Sequence, residues 1–522
     1  VYIGNNAGYY ATGSYNTFVG DLAGKGGTTS APFSSGGSNT AVGRRALDAF
    51  TTGQYNAALG ADALGSVTSG QYNVGIGVSA GGAITTAQEC IAIGQDSLVA
   101  SQTGNGIIAI GYQAMFSANH ADNAGNVAIG YTALRMNIKG AQNVAIGDEA
   151  GRYATGSKNT FVGHRAGLGS TGAPYASGDE NTAIGNDAMR GLTTGYRNVS
   201  IGHRAGENMT TGYNNTYIGG YRTGYYNRTG HSNVGIGNSA IGADANKYVN
   251  ELVAIGVAAG ALTAGNVGDT DGNVYVGYNA GYSNVSGSGL TMLGFKAGQN
   301  ATGSYNTFLG YRAGQGTGGA AATTGASNIG IGYEALKSFT TATGAVVIGH
   351  QAGDAITTAG TTVVIGYQAA TTLTIGGESI YIGYQAGYSN SYAVRNTFVG
   401  YQAGYSGIAS YGFEENTYLG SSAGYQATGP SNVGIGYRSM YGSGTVGNNT
   451  GRWNVAIGTM SGEDMTSASG SVLIGYKAGL NIDSSNANVA IGYEALQEAD
   501  AGSDGTVAIG YKAGKAQTNP GN

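Results

Sequence analysis

A single short motif recurs along this 522-residue chain, and it constrains the fold more than any other feature. The motif reads Asn, then Val or Thr, then any residue, then Ile, Val or Leu, and then Gly. Its glycine occurs 29 times, from Gly4 to Gly510, and half of the 28 spacings are 17 residues. A unit this short cannot bury a core alone, so the pattern predicts a solenoid in which each copy is one coil stacked on the next.

The motif residues are predicted to be structural. Asparagine at the strand entrance is expected to form a ladder, with side-chain amides that bond to the coils on either side and pair with backbone groups of the turns. Cys90 takes this position in its own coil, where we expect a buried thiol that interrupts the ladder. Representative motif positions are Asn73, Asn126, Ile129, Gly130, Asn143, Ile146, Gly147, Asn396, Val399, Gly400, Asn488, Ile491 and Gly492.

The spacings also vary on a second, longer scale. A spacing of 16 residues is followed by one of 22 or 23 on four occasions. A similar short sequence occurs at each of these four places, starting at Ala11, Ala154, Ala301 and Ala427. This order predicts growth by duplication of a block of coils. The predicted blocks, all within one continuous solenoid, are 1–143, 144–290, 291–416 and the incomplete 417–522.

Each copy of the motif predicts a short β-strand with one buried face, because apolar residues alternate. In the copy at Asn126, Val127 and Ile129 are expected to point inward and Ala128 outward. The motif glycine ends the strand where the backbone turns. The expected fold is all-β, a flattened parallel β-roll of about 29 coils in which like residues stack every ~4.8 Å.

Composition excludes several classes of function. Glycine numbers 99 without a collagen period, and the 10% of charged residues give a net charge of −5 with no basic cluster. We therefore expect no nucleic-acid binding, and no apolar run is long enough to insert this segment into a membrane. The chain opens at Val1 in the middle of a repeat, and we expect it to be a piece of a longer protein.

Aromatic residues supply the candidate contact positions. Those at the middle of the strand motif are expected to face outward, where they are either buried against another chain, the favoured interpretation, or tolerated singly on the surface. They include Phe18, Phe161, Phe308, Phe398, Tyr217, Tyr275 and Tyr418. Others follow the motif glycine, among them Tyr112, Tyr131, Tyr367, Tyr384, Tyr401 and Tyr493. This second set forms either a sugar-binding or surface-binding track or a simple stack between coils.

No constellation in the sequence predicts catalysis or a cofactor. The five histidines lack metal-ligand spacing, and the carboxylates are dispersed. The stretch 269–273 resembles a calcium loop without its distal acidic ligand, so a plain Asp/Gly turn is the favoured interpretation. Thr372–Thr374 is isolated, which argues against an ice-binding array.

Long loops are predicted as contact candidates or as harmless duplications; they follow Gly20, Gly163, Gly310 and Gly436.

The repeats Asn126–Tyr131, Asn396–Tyr401 and Asn488–Tyr493 resemble two families. They are similar to the head domains of trimeric autotransporter adhesins, and more so to glycine-rich repeats of bacterial and phage tail-fibre-like proteins. The resemblance covers essentially the whole chain. It implies left-handed β-rolls, three parallel chains side by side, and a location outside the cell, at a cell surface or on a virion.

Two functions follow as hypotheses. The first is a non-enzymatic structural or adhesive fibre that forms a homotrimer, acts by reach and multivalent contact, and binds a cell-surface glycan or host receptor. The alternative is a subunit of a self-assembling extracellular filament, in which open coil ends act as templates for further chains.

Overall fold

A computed structural model describes residues 1–27, 33–118, 120, 123–172, 175–242, 249–262, 272–318, 323–406, 415–443, 449–499 and 503–517. Over these ranges the chain consists of short β-strands joined by turns, without an α-helix. It divides into two compact units, Val1–Gly268 (unit 1) and Asp269–Asn522 (unit 2). The all-β class is therefore confirmed.

Unit 1 contains a parallel sheet in which each strand is hydrogen-bonded to the strand of the next coil. Its strands are Tyr2–Ile3, Thr17–Val19, Thr40–Val42, Ala57–Leu59, Val74–Ile76, Ile91–Ile93, Ile108–Ile110, Val127–Ile129, Val144–Ile146, Thr160–Val162, Thr182–Ile184, Val199–His203, Thr216–Tyr221, Val234–Ile236 and Val253–Ile255.

Unit 2 is built in the same way. The strands of its main sheet are Val274–Val276, Thr291–Leu293, Thr307–Leu309, Ile329–Ile331, Val346–Ile348, Thr362–Ile365, Ser379–Ile382, Thr397–Val399, Thr417–Leu419, Val433–Ile435, Val455–Ile457, Val472–Ile474, Val489–Ile491 and Val507–Ile509. Minor parallel pairings join Ile375–Gly377 to Tyr392–Val394, and Asn481–Ile482 to Glu498–Ala499 and on to Ala516–Gln517.

The strands pair motif position to motif position. Ala128 lies opposite Ala145, and Ile129 lies opposite Ile146. Neighbouring coils are consequently about 4.8 Å apart, the spacing of strands in a sheet. Each motif position forms a column of like residues, which confirms the predicted stacking of ~17-residue coils into a β-solenoid.

The face of the strand that turns inward is the opposite of the one expected. Ala128 is fully buried, whereas Val127 and Ile129 are partly exposed. The interior is closed on its other side by the buried Ala133 and Leu134. This narrow space accepts one side chain per strand, and the central residue fills it. The expectation that the β-branched residues point inward is therefore wrong.

The strand aromatics are core residues, which corrects their predicted outward position. Phe18, Phe161, Phe308 and Phe398 are 0–3% exposed, and the corresponding tyrosines Tyr217, Tyr275 and Tyr418 are buried as well. Such side chains cannot contact another chain. Each aromatic is accommodated by a glycine later in the same coil: a Cβ on Gly314 would lie 2.2 Å from the Phe308 ring. Where alanine is central, as at Ala128, Leu134 fills the equivalent space.

The asparagine ladder is present as predicted. Asn198 is fully buried. Its amide nitrogen donates to Asn181 Oδ1 at 3.0 Å and to the carbonyl oxygen of Gly212 at 2.8 Å. Its Oδ1 accepts from both the backbone and the side-chain nitrogens of Asn215 at 3.0 Å. One side chain thus satisfies backbone groups in its own and in neighbouring coils that water cannot reach.

Cys90 interrupts this ladder, also as predicted. Its backbone N–H still donates to Asn73 Oδ1 at 3.0 Å, and its thiol lies 3.2 Å from the carbonyl oxygen of Gly104. The side chain is fully buried, and burial raises the pKa of the thiol. Cys90 is therefore a poor nucleophile in the folded chain.

We predict that Asn198→Ala destabilises unit 1 by on the order of 3 kcal/mol, because it leaves a buried carbonyl oxygen and a buried N–H without partners. Chemical denaturation followed by circular dichroism measures the change. Asn238→Ala is the matched control, since Asn238 is solvent-exposed, and it should alter stability by less than about 0.5 kcal/mol. Equal stability of the two variants would contradict the structural role of the ladder.

The long coils share one local contact. In the short sequence shared by the four predicted blocks, a threonine donates through both its backbone nitrogen and its hydroxyl to a carbonyl of the following coil. The donors are Thr12, Thr155, Thr302 and Thr428, with hydroxyl distances of 2.7–3.1 Å. The four segments thus adopt the same conformation here, while the block boundaries themselves stay a prediction.

Candidate binding surface

The outward face of the sheet is apolar. The strand residues on either side of the buried central residue point away from the core, because side chains alternate along a strand. Many are more than a third exposed; they include Leu59, Ile76, Ile146, Ile184 and Ile236 in unit 1, and Val274, Leu293, Leu309, Ile329, Ile380 and Ile457 in unit 2. Each unit therefore presents columns of aliphatic side chains to solvent. We define these columns as the aliphatic face.

This face was missed in the sequence because its residues were assigned to the interior. A signal for the correct orientation was nevertheless present. Wherever the central residue is a phenylalanine, the residue six positions later is glycine, as in Phe161 with Gly167 and Phe398 with Gly404. Such compensation of volume indicates that both positions share one confined space.

A row of stacked rings borders the aliphatic face in unit 2. Successive centroids are 4.8–5.3 Å apart and neighbouring rings are within 12° of parallel. The rings occupy the position after the motif glycine in eight consecutive coils. They are Tyr278, Phe295, Tyr311, Tyr333, His350, Tyr367, Tyr384 and Tyr401.

The six tyrosines predicted as contacts are exposed. Tyr112 and Tyr131 stack as a pair in unit 1, with centroids 5.4 Å apart. Tyr367, Tyr384 and Tyr401 belong to the row of eight. A further stack in unit 2 is formed by Tyr476, Tyr493 and Tyr511. The exposed fractions of the six range from 40% to 53%.

Ring geometry separates the two interpretations of these tyrosines. Within the row, each ring covers the flat faces of its neighbours, so only ring edges and hydroxyls face solvent. A sugar stacks on the flat face of an aromatic ring, but the ring faces inside the row are already covered by neighbouring rings. The arrangement favours stacking between coils, and a glycan track on these residues stays a prediction.

A row of glutamines runs beside the rings. The side-chain amides link Gln351, Gln368, Gln385 and Gln402, and the Nε2 of each later glutamine donates to the Oε1 of the glutamine in the preceding coil at 2.9–3.1 Å. Each glutamine lies two residues after a motif glycine. The amides cross-link successive coils in the same way as the buried asparagines, here at the half-exposed edge of the sheet.

Threonines form further rows, which corrects the expectation that Thr372–Thr374 is isolated. The hydroxyls of Thr340, Thr357 and Thr374 donate to the backbone carbonyl of the following coil at 2.9–3.0 Å. Equivalent bonds link Thr51 to Thr68 and Thr68 to Thr85. Because each of these hydroxyl hydrogens is committed to a carbonyl, the rows stabilise coil stacking instead of presenting a free hydroxyl array.

Ionisable groups pair across neighbouring coils. Glu334 is held by Lys337 at 3.0 Å and Arg312 at 3.4 Å. Partial burial opposes ionisation of Glu334, but the bonds from these cations and from Gln351 lower the pKa of its carboxyl below the ordinary value. Such pairs offset the cost of placing charge on a thin solenoid.

Within the described residues, no three or more His, Cys, Asp or Glu side chains converge to hold a metal ion. The same part of the chain has no helix able to cross a bilayer. Residues 269–271 of the predicted calcium-like turn lie outside the described residues, as do Pro32 and Pro174 of the long loops.

Comparison with known proteins gives no assignment. No protein-family model matches the chain, and no curated protein matches it significantly.

Proposed function

We propose that this chain is a non-enzymatic structural and adhesive fibre protein, acting outside the cell at a cell surface or on a virion. Its partners would be copies of itself, most simply in a homotrimer, together with a glycan or receptor on a cell. The likeness of its repeats to adhesin-head and tail-fibre-like sequences supports this role. So does an architecture in which reach grows with the number of coils.

The observation that carries the proposal is the aliphatic face. Contiguous apolar surface on a soluble chain is a signature of an interaction site. In unit 2, Leu293 and Leu309 lie opposite each other on successive coils and are 43% and 42% exposed, and Ile329 at the other end of the next strand is 38% exposed. Because the strands stack in register, the aliphatic side chains form a regular surface, and a second copy of the chain carries the same apolar surface. Self-association along this face replaces the association through phenylalanines that the sequence predicted.

Introducing a charged side chain on the aliphatic face tests self-association. We expect the unaltered chain to show a multiple of the mass of 52.1 kDa by light scattering. Leu309→Lys should weaken assembly at least about 100-fold, because an unpaired ammonium in an apolar interface carries a penalty of several kcal/mol. Tyr305→Lys is the control, since Tyr305 lies outside the strand Thr307–Leu309 and is 68% exposed, and it should leave the mass unchanged.

A chain that stays monomeric at micromolar concentration and binds neither cells nor glycans would refute the proposal. The alternative, a filament subunit, is supported by the repetitive coil surface itself, which has no preferred stopping point. Electron microscopy separates the two. Discrete particles of one length exclude the filament, and open-ended polymers exclude the closed trimer.

A further inference from the structure

A groove crosses four consecutive coils of unit 1. Its volume is about 680 Å³, and its walls come from residues 168–171, 190–193, 208–210 and 226–228. The first of these segments lies in the long coil of 22 residues between Gly163 and Gly185. With coils about 4.8 Å apart, the groove extends over three coil steps, or roughly 14 Å. It is therefore long enough for several linked units of a polymer.

The groove is cationic. Arg190 and Arg228 contribute to its lining, and none of the described residues that line it carries a carboxylate. Glu207 lies behind the wall with its side chain only 3% exposed, 3.6 Å from Arg190 and 3.1 Å from Arg204. Arg228 is exposed, and among the described residues it forms no ion pair. Two guanidinium groups thus flank one carboxylate while the Arg228 guanidinium is unpaired, so the groove carries a net positive charge and attracts anions.

The remaining lining suits a hydroxylated ligand. Ser170, Thr171 and Asn208 supply hydroxyl and amide groups. Thr193 and Thr210 also line the groove, and because their hydroxyls donate to backbone carbonyls of the next coil, their oxygens are left as acceptors. Convergent polar groups of this kind fix the orientation of a bound small molecule.

Tyr226 differs from the tyrosines of the stacked row. Its ring packs against Tyr225 with centroids 4.5 Å apart and planes at 89°, a perpendicular contact in which Tyr225 covers at most one face of the Tyr226 ring. The guanidinium of Arg222 lies 4.7 Å from the Tyr225 ring centroid and fixes that neighbour in place. A half-buried aromatic face beside hydroxyls and arginines is the surface on which a sugar ring packs.

Equivalent positions elsewhere show that the fold does not require these arginines. The residue five positions after the corresponding motif glycine is Asp48, Lys337 or Glu463 in the other predicted blocks. The place of Arg228, at the end of a threonine row, is taken by Thr85 and Thr374. The same scaffold therefore carries two arginines at these positions only around the groove. Arg190 also pairs with Glu207 of the next coil, and coil stacking does not explain the unpaired Arg228.

We infer that this groove binds an acidic oligosaccharide, with a carboxylate or sulfate held by Arg228 and Arg190 and a sugar ring packed on Tyr226. The inference rests on the proposed adhesive role and specifies its ligand. It does not depend on self-association, because every wall of the groove comes from one chain. Bidentate arginine contacts to a carboxylate or sulfate supply both affinity and orientation.

The test uses the full chain on an array of uronic-acid, sialic-acid and sulfated oligosaccharides, each printed beside its neutral counterpart. We expect binding to at least one acidic class, at least about 10-fold weaker for the neutral form, with carboxylated and sulfated arms identifying the anion. The best glycan is then titrated by calorimetry. Arg228→Gln and Tyr226→Ala should each weaken binding about 10-fold, whereas Arg197→Gln, an exposed arginine paired with Glu180 outside the groove, should not.

Failure takes distinct forms. The inference is overturned if no acidic glycan binds, if neutral counterparts bind equally well, or if Arg228→Gln has no effect on an observed affinity. The melting temperature of Arg228→Gln should match that of the unaltered chain, because Arg228 is exposed. If no acidic glycan binds in the groove while light scattering still shows an oligomer, the ligand assignment is refuted and the proposed self-association is supported. If the chain is a monomer that binds the glycan through Arg228, self-association is refuted and glycan binding in the groove is supported.

Discussion

Gly349→Ala is expected to destabilise the surrounding coils of unit 2 by more than about 3 kcal/mol, because two separate penalties coincide. The first is conformational, since Gly349 has a φ of 140°, which side chains with a Cβ rarely adopt. The second is steric: an added Cβ would lie 2.2 Å from the carbonyl oxygen of Gly366 in the next coil. Both partners are backbone, so no rotamer change relieves the collision.

Native-state hydrogen exchange measures this effect locally, which suits a solenoid whose coils open in part. Amides of Val346–Ile348 and Thr362–Ile365 should exchange about 100-fold faster or more. Gly360→Ala is the matched control, because an added Cβ there meets no heavy atom within 4 Å and the backbone is not left-handed. We expect it to change stability by less than about 1 kcal/mol, in the stabilising direction. Similar exchange in both variants would show that the glycine column is dispensable.

Phe308→Ala and Gly314→Leu are each expected to destabilise unit 2, while their combination recovers stability. Removing the buried Phe308 ring leaves a cavity and costs about 3–5 kcal/mol. Leucine at Gly314 collides with that ring, since even a Cβ would lie 2.2 Å from it. The backbone does not forbid leucine there: Gly314 has a φ of 54°, and Leu336, at the equivalent place in the next coil, has a φ of 51°.

The double variant recreates the pairing of central alanine with leucine that Ala128 and Leu134 show in unit 1. Its destabilisation should be smaller than the sum of the single effects by at least about 2 kcal/mol, a coupling that denaturant titration of all four proteins resolves. Tyr305→Ala is the control, because Tyr305 lies in the same coil and is 68% exposed. Additive single effects would mean that the two positions do not share one space.

The sequence was sufficient for the coil repeat and the asparagine ladder, and the reasons are physical. The period fixes which residues stack, and a buried amide between stacked turns has few other ways to satisfy its groups. The left-handed coil and the block boundaries stay predictions. Alternation could not decide which strand face is buried, because Val127 and Ile129 satisfy a period of two equally well pointing in or out. Volume decides it, through pairs such as Phe308 with Gly314.

The surfaces were harder to predict than the core. Exposed tyrosines such as Tyr367 were found because they recur at one motif position, but the coverage of their faces depends on ring orientation. The cationic groove combines Arg190 and Arg228, which are 38 positions apart in the chain. They lie two coils apart and at different positions within their coils, so no column of like residues indicates that they line one groove.

The balance of volumes inside a coil has an evolutionary consequence. Phe398 is accommodated by Gly404 within one coil, and its ring also contacts the core rings of Tyr381 and Tyr418 in the neighbouring coils. Unequal recombination in a gene encoding such a chain can therefore remove or add whole coils, each of which keeps its own pair of balanced volumes. Chain length becomes a trait that selection can adjust one coil at a time, while each inserted coil arrives already fitted to its own interior.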